Sequence, residues 1–236
     1  MIRLKVVQKI CIFILLFSIS IPLYAQDDIV KKKNFCMVYF TGIGCNRCKN
    51  SDPPLLSILP EEHPSVIIVE YEMYRERKNA SSISVYNSNY GCGIGVPLLI
   101  FSKQEFALGD RKILGTIAGR SFDFNELSLP DGSCRDFNAV DITTLGGRPK
   151  IWRDERILIC KGEKGNSDLL KELLLSDDLP VVLEKAEFEK VEPEPVLFSQ
   201  GKVEFENAIK IDDWIFQWDR KKETKSFLFY PEGRNR

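Results

Sequence analysis

Asn34 to Phe40 (NFCMVYF) is a short, unbroken run of bulky apolar residues, the pattern of a strand buried on both faces. It runs into Gly42-Ile-Gly44, which predicts a turn. Residues 46–59 carry Leu55, Leu56, Ile58 and Leu59 with Pro53 and Pro54 among them. A helix is therefore expected to start near Cys45 and to kink or restart at the prolines. Ser65 to Tyr71 (SVIIVEY) predicts a second strand, residues 75–89 a polar helix, Val96 to Phe101 a third strand entered through Pro97, and Lys112 to Ala118 (KILGTIA) a fourth.

From Gly119 to Gly165 the pattern turns irregular, with a Pro-Asp-Gly turn at 130–132 and a hairpin predicted across Lys150 to Cys160. The stretch is longer than an ordinary loop and reads as an insertion. Ser167 can cap a helix with Leu169, Leu170, Leu173 and Leu174 on one face, interrupted at Pro180. Residues 189–195 (EKVEPEP) read as a linker. Beyond them Lys202 to Ile209, Ile211 to Trp218 and Ser226 to Tyr230 favour strands, with Trp214 and Trp218 as core candidates. The expected organisation is a main domain over 26–188, its insertion at about 119–165, and a β-rich extension over 189–236.

The first residues change the compartment. Arg3, Lys5 and Lys9 precede an apolar run, Ile10 to Ile21, that ends in Pro22-Leu-Tyr-Ala25 before polar Gln26. This is the layout of a cleavable secretory signal, and the run is shorter than the roughly 20 residues a spanning helix needs. Cleavage after Ala25 is expected, with a periplasmic or otherwise extracytoplasmic product. Losing those three of the 33 Lys and Arg residues leaves 30 against 34 Asp plus Glu, so there is no basic excess of the kind that binds nucleic acid.

Six cysteines survive that cleavage: Cys36, Cys45, Cys48, Cys92, Cys134 and Cys160. Export makes disulfides chemically permitted. Cys45 and Cys48, two residues apart, fit a redox pair, half of a zinc site or a bare crosslink. Zinc is poorly served, because there is no second CxxC and His63 is the one histidine, in a polar turn. Cys36 and Cys92 read most simply as packed core thiols, although Cys92, five residues before Pro97, is close enough to be a third redox thiol. Cys134 and Cys160 flank the insertion and are candidates either for a structural disulfide closing a loop of about 25 residues or for two buried thiols.

The order strand, CxxC at a helix start, strand, helix, Val96-Pro97 opening a strand, strand, helix resembles the thioredoxin-like superfamily. Pro53, eight residues after Cys45, sits where thioredoxins often kink this helix, and Val96-Pro97 looks like their cis-proline segment. The resemblance covers about 34–118 plus the 167–176 helix. It implies an α/β fold with a central mixed sheet flanked by helices, an insertion and a C-terminal extension. The implied activity is thiol–disulfide exchange with protein disulfide or dithiol substrates and no cofactor. Cys45 would attack, Cys48 would resolve, Val96 and Pro97 would shape the substrate groove, and a membrane redox partner could regenerate the pair.

A helix N-terminus favours a thiolate at the first cysteine, and Arg47 and Lys49 add positive charge. The chain departs from the family's tryptophan before the first cysteine and its Gly-Pro dipeptide, having Gly44 and Asn46-Arg47 instead. Where thioredoxins bury an acid it has Tyr39, which leaves Glu70 and Glu72, read as strand-end surface residues, as conceivable proton acceptors. The alternative function is a non-catalytic binding module with a structural Cys45–Cys48 disulfide.

Overall fold

The computed structural model describes residues 34–118 and 125–221. The expected signal segment and the Ser226 to Tyr230 strand lie outside them. Strand β1 (Phe35–Thr41) leads to helix α1 (Cys48–Asp52), which continues through a π-helical stretch (Pro53–Ile58) into a last turn (Leu59–Glu62). Strand β2 (Val66–Glu72), helix α2 (Ala80–Tyr90), strands β3 (Leu98–Ser102) and β4 (Glu105–Leu108) and helix α3 (Asp110–Ile117) follow. Next come the short strands β5 (Glu126–Ser128) and β6 (Cys134–Asp136), then β7 (Lys150–Arg153), β8 (Arg156–Cys160) and helices α4 (Ser167–Leu175) and α5 (Leu179–Glu184). The chain closes with β9 (Glu189–Lys190), β10 (Val196–Phe198), β11 (Gly201–Val203), β12 (Phe205–Ile211) and β13 (Trp214–Arg220).

Nine strands form one mixed sheet in the order β4-β3-β1-β2-β7-β8-β13-β12-β9. The pair β1/β2 is parallel, and every other pairing in the sheet is antiparallel. Both faces are covered, which explains the continuous apolar runs. Cys36, Val38 and Phe40 point to one face with Ile83, Tyr86 and Tyr90 of α2 and Leu170, Leu173 and Leu174 of α4. Met37 and Tyr39 point to the other, with Leu55, Leu56 and Leu59 of the α1 rod, Ile113 of α3, and Val196, Phe198 and Val203 of the β10–β11 hairpin.

Several expectations are corrected here. Lys112 to Ala118 is not a strand: it lies in α3, whose buried residue Ile113 faces the sheet, and the fourth strand is Glu105–Leu108. Ile113, Leu114 and Ile117 recur at helical spacing, which overrides their β-branching. The helix cap placed at Ser167 belongs to Asn166, whose side chain accepts from Leu169 N–H, and Pro180 opens α5 rather than breaking α4. The hairpin within the supposed insertion is integral to the sheet, since β7 pairs directly with β2. Trp214 is buried, whereas Trp218 is half-buried at the rim. Among the described residues no helix is long and apolar enough to cross a membrane.

Candidate redox site around Cys45 and Cys48

The site lies where β1 gives way to α1. Cys45 N–H donates to Gly42 O at 2.9 Å, closing the turn that Gly42 and Gly44 allow, with Gly44 at φ +94°. Cys48 opens the helix and its backbone N–H donates to Cys45 Sγ at 3.2 Å. A helix-terminal N–H aimed at sulfur stabilises negative charge there. Cys45 is partly exposed and its Sγ lies 3.9 Å from Val96 O, at the cis Val96–Pro97 peptide. The sequence-predicted Cys45, Cys48, Val96 and Pro97 thus converge at one end of the sheet.

The two sulfurs differ sharply in surroundings. Cys48 is fully buried. Its thiol is pushed well up, first by burial, then by its bond to Cys45, while the Thr41 hydroxyl pulls the other way. Both cysteines are thiols, as are Cys36, Cys92, Cys134 and Cys160. Behind Cys48 lies Asp52, one helical turn on and fully buried. Its Oδ1 accepts from Tyr39 Oη and from Thr41 Oγ1, each at 2.6 Å, and its Oδ2 accepts from Ser199 N–H at 2.8 Å. Tyr39 is pushed up by burial and by this carboxylate.

Asp52 is the functional candidate that sequence reasoning missed. The signal was its place at i+4 from Cys48 with a hydroxyl on the neighbouring strand at Thr41. The glutamates considered instead are buried, not surface residues, and their oxygens are committed elsewhere. Glu70 accepts from Lys150 Nζ at 2.8 Å and Trp152 Nε1 at 2.6 Å, and burial raises its carboxyl. Glu72 accepts backbone N–H groups from Ile43, Tyr74, Arg75 and Glu76. Burial alone would raise Glu72, but those donors hold it below the usual carboxylate range.

The tail reaches the site twice. Ser199 Oγ donates to Gly42 O at 2.6 Å, beside its backbone bond to Asp52. Arg220, the last residue of β13, donates from Nη1 to Ser57 O at 2.9 Å and Leu56 O at 3.4 Å, and from Nη2 to Ser57 Oγ at 2.6 Å.

The remaining expectations fall elsewhere. Cys92 is a buried core thiol raised by desolvation. Cys36 is buried and likewise raised, by burial first and by Asp136 second. The Cys134–Cys160 crosslink is not made: Cys134 sits 3.8 Å from Ser128 Oγ in the β5–β6 hairpin, and Cys160 Sγ donates to Gly162 O at 3.0 Å at the end of β8. Each sulfur has its own local partner, across the β5–β6 hairpin for Cys134 and just beyond β8 for Cys160. His63 is exposed beyond the last helical turn, and among the described residues no three His, Cys, Asp or Glu side chains converge on a metal-sized point.

No protein-family model, curated protein or solved structure matches the chain.

Proposed function

We propose that the protein is a thioredoxin-like thiol–disulfide oxidoreductase of an extracytoplasmic compartment, acting on protein disulfides or dithiols through Cys45 and Cys48. The observation that carries the reading is the asymmetry of the pair. Cys45 is accessible, receives the first helical N–H and faces the Val96 carbonyl, while Cys48 is sealed against Thr41 and Asp52. The order β4-β3-β1-β2, with β1/β2 parallel and β3 and β4 antiparallel, supports a thioredoxin-like core.

In the reductive direction the Cys45 thiolate attacks one sulfur of a substrate disulfide, forming a mixed disulfide and expelling the other sulfur as thiolate. Cys48 then gives its proton through the Thr41 hydroxyl to Asp52. The resulting Cys48 thiolate attacks Cys45 Sγ, forming the Cys45–Cys48 disulfide and expelling the second substrate thiolate. Two electrons pass to the substrate, and the same steps run backwards when the substrate arrives as a dithiol. An extended substrate would lie along Val96 and Pro97 and form backbone bonds there.

The test is covalent trapping. Cys48→Ala should accumulate mixed disulfides that non-reducing electrophoresis resolves, while Cys45→Ala should not. Equal trapping by both would remove the assigned roles. No trapping by either, in folded protein, would favour a binding module with a redox-inert pair.

A further inference from the structure

The surface side of Cys45 is organised as deliberately as its buried side, and the residue involved is Tyr74. This tyrosine is 56% exposed, so it adds little to the core, yet it is anchored twice. Its ring lies flat against Gly42: a Cβ there would come within 2.9 Å of Tyr74 Cγ and Cδ1 and 3.0 Å of Cδ2. Only glycine lets the ring lie that close to the turn.

The second anchor is Glu72. Its Oε1 accepts from Ile43 N–H at 2.8 Å and from Tyr74 N–H at 3.0 Å, and its Oε2 accepts from Arg75 N–H at 2.7 Å and Glu76 N–H at 2.9 Å. One carboxylate therefore ties the cysteine-bearing turn to the turn that carries Tyr74. The phenol is pushed up, first by the slight desolvation it undergoes beside the turn and then by negative charge at Cys45 and Cys48.

Resting on the redox reading of Cys45, we propose that Tyr74 is a positioning residue whose hydroxyl donates a hydrogen bond to the Cys45 thiolate, held over that sulfur by Glu72 and by the missing side chain of Gly42. A charged sulfur accepts far better than a disulfide sulfur. The bond therefore favours the reduced pair over the Cys45–Cys48 disulfide, and it favours Cys45 as the sulfur that carries charge.

The experiment compares the full chain with Tyr74→Phe and Gly42→Ala. In a Cys48→Ala background, iodoacetamide labelling of Cys45 at neutral pH is followed by mass spectrometry. With both cysteines present, the pair is equilibrated against glutathione. Tyr74→Phe should slow Cys45 labelling about tenfold. It should shift the glutathione equilibrium towards the disulfide by a similar factor, or about 30 mV for a two-electron couple. The unfolding midpoint should not move, because the exposed ring keeps its packing. Gly42→Ala retains the phenol but displaces the ring, and should shift both readouts in the same direction. A reactive Cys45 whose labelling rate and equilibrium ignore Tyr74→Phe overturns this proposal alone. A parent chain in which Cys45 resists labelling and forms no disulfide with Cys48 overturns the redox reading and this proposal with it.

Discussion

Ser199 donates its backbone N–H to Asp52 Oδ2 at 2.8 Å, joining the C-terminal hairpin to the cysteine-bearing helix across 147 positions of sequence. With Tyr39 and Thr41 on Oδ1, this gives a buried carboxylate three donors. Burial of a carboxylate is tolerable only when it is hydrogen-bonded in this way. The tail is thus part of the environment of Cys48.

Asp52 is expected to act on the second chemical step. Asp52→Asn keeps the shape but removes the proton acceptor, so mixed-disulfide resolution by Cys48 should slow roughly 10²-fold at neutral pH, the lower range for general-base catalysis. Initial attack by Cys45 should change little. Stopped-flow traces that separate the two phases check this, and an equal loss in both phases would make Asp52 structural only.

The two tail contacts should be separable by mutation. Ser199→Ala removes the Oγ bond to Gly42 O but keeps the amide, and should cost about 1 kcal/mol. Arg220→Met removes the guanidinium's bonds to the Leu56 and Ser57 carbonyls and to Ser57 Oγ, and should cost roughly 3 kcal/mol. Urea titrations of both variants measure these values, and a neutral Arg220→Met would show that the π-helical stretch satisfies itself.

Much of this architecture was legible in the sequence, and the failures have physical causes. β1, β2 and β3 are buried on both faces and read directly as apolar runs. The convergence of Cys45 with Val96 and Pro97 was implied by the resemblance to thioredoxins and not by local pattern. α3 reads as a strand because Ile113 and Ile117 look strand-like one at a time. Asp52 sits in the polar stretch Lys49-Asn-Ser-Asp52, and its burial is completed by Ser199, which local pattern cannot see. Glu70 and Glu72 read as surface residues because their donors come from β7 and from the neighbouring turns.

Acid should loosen the turn that carries Cys45. Glu72 has a folded-state pKa below its unfolded value, so it contributes stability above the ordinary carboxylate value of about 4.3 and loses it as pH falls through the lower folded value. Between those values the unfolded chain binds more protons, so stability rises with pH. Unfolding midpoints of the parent should therefore drop more steeply below about pH 4.3 than those of Glu72→Gln. Parallel pH profiles would remove Glu72 as the cause.

Cys134 and Cys160 should be chemically independent. Alkylation after unfolding without reductant, followed by mass spectrometry, should find both as separate thiols. Cys134→Ser, at a partly exposed position, should change stability by less than about 1 kcal/mol. A peptide pair linked through these two sulfurs would restore the crosslink that their spacing suggested.

The Arg220 contacts also set an order of events during synthesis. The helix that follows the cysteines leaves the ribosome 163 residues ahead of the guanidinium that completes its carbonyls at Ser57. Contacts so distant along the chain form late, after the intervening loop has been closed. For that interval the nascent chain carries Cys45 and Cys48 without Ser199 or Arg220, so the helix behind the cysteines lacks the contacts that tie it to the C-terminal hairpin and to β13. The carboxylate behind Cys48 gains its third donor only once Ser199 has been made.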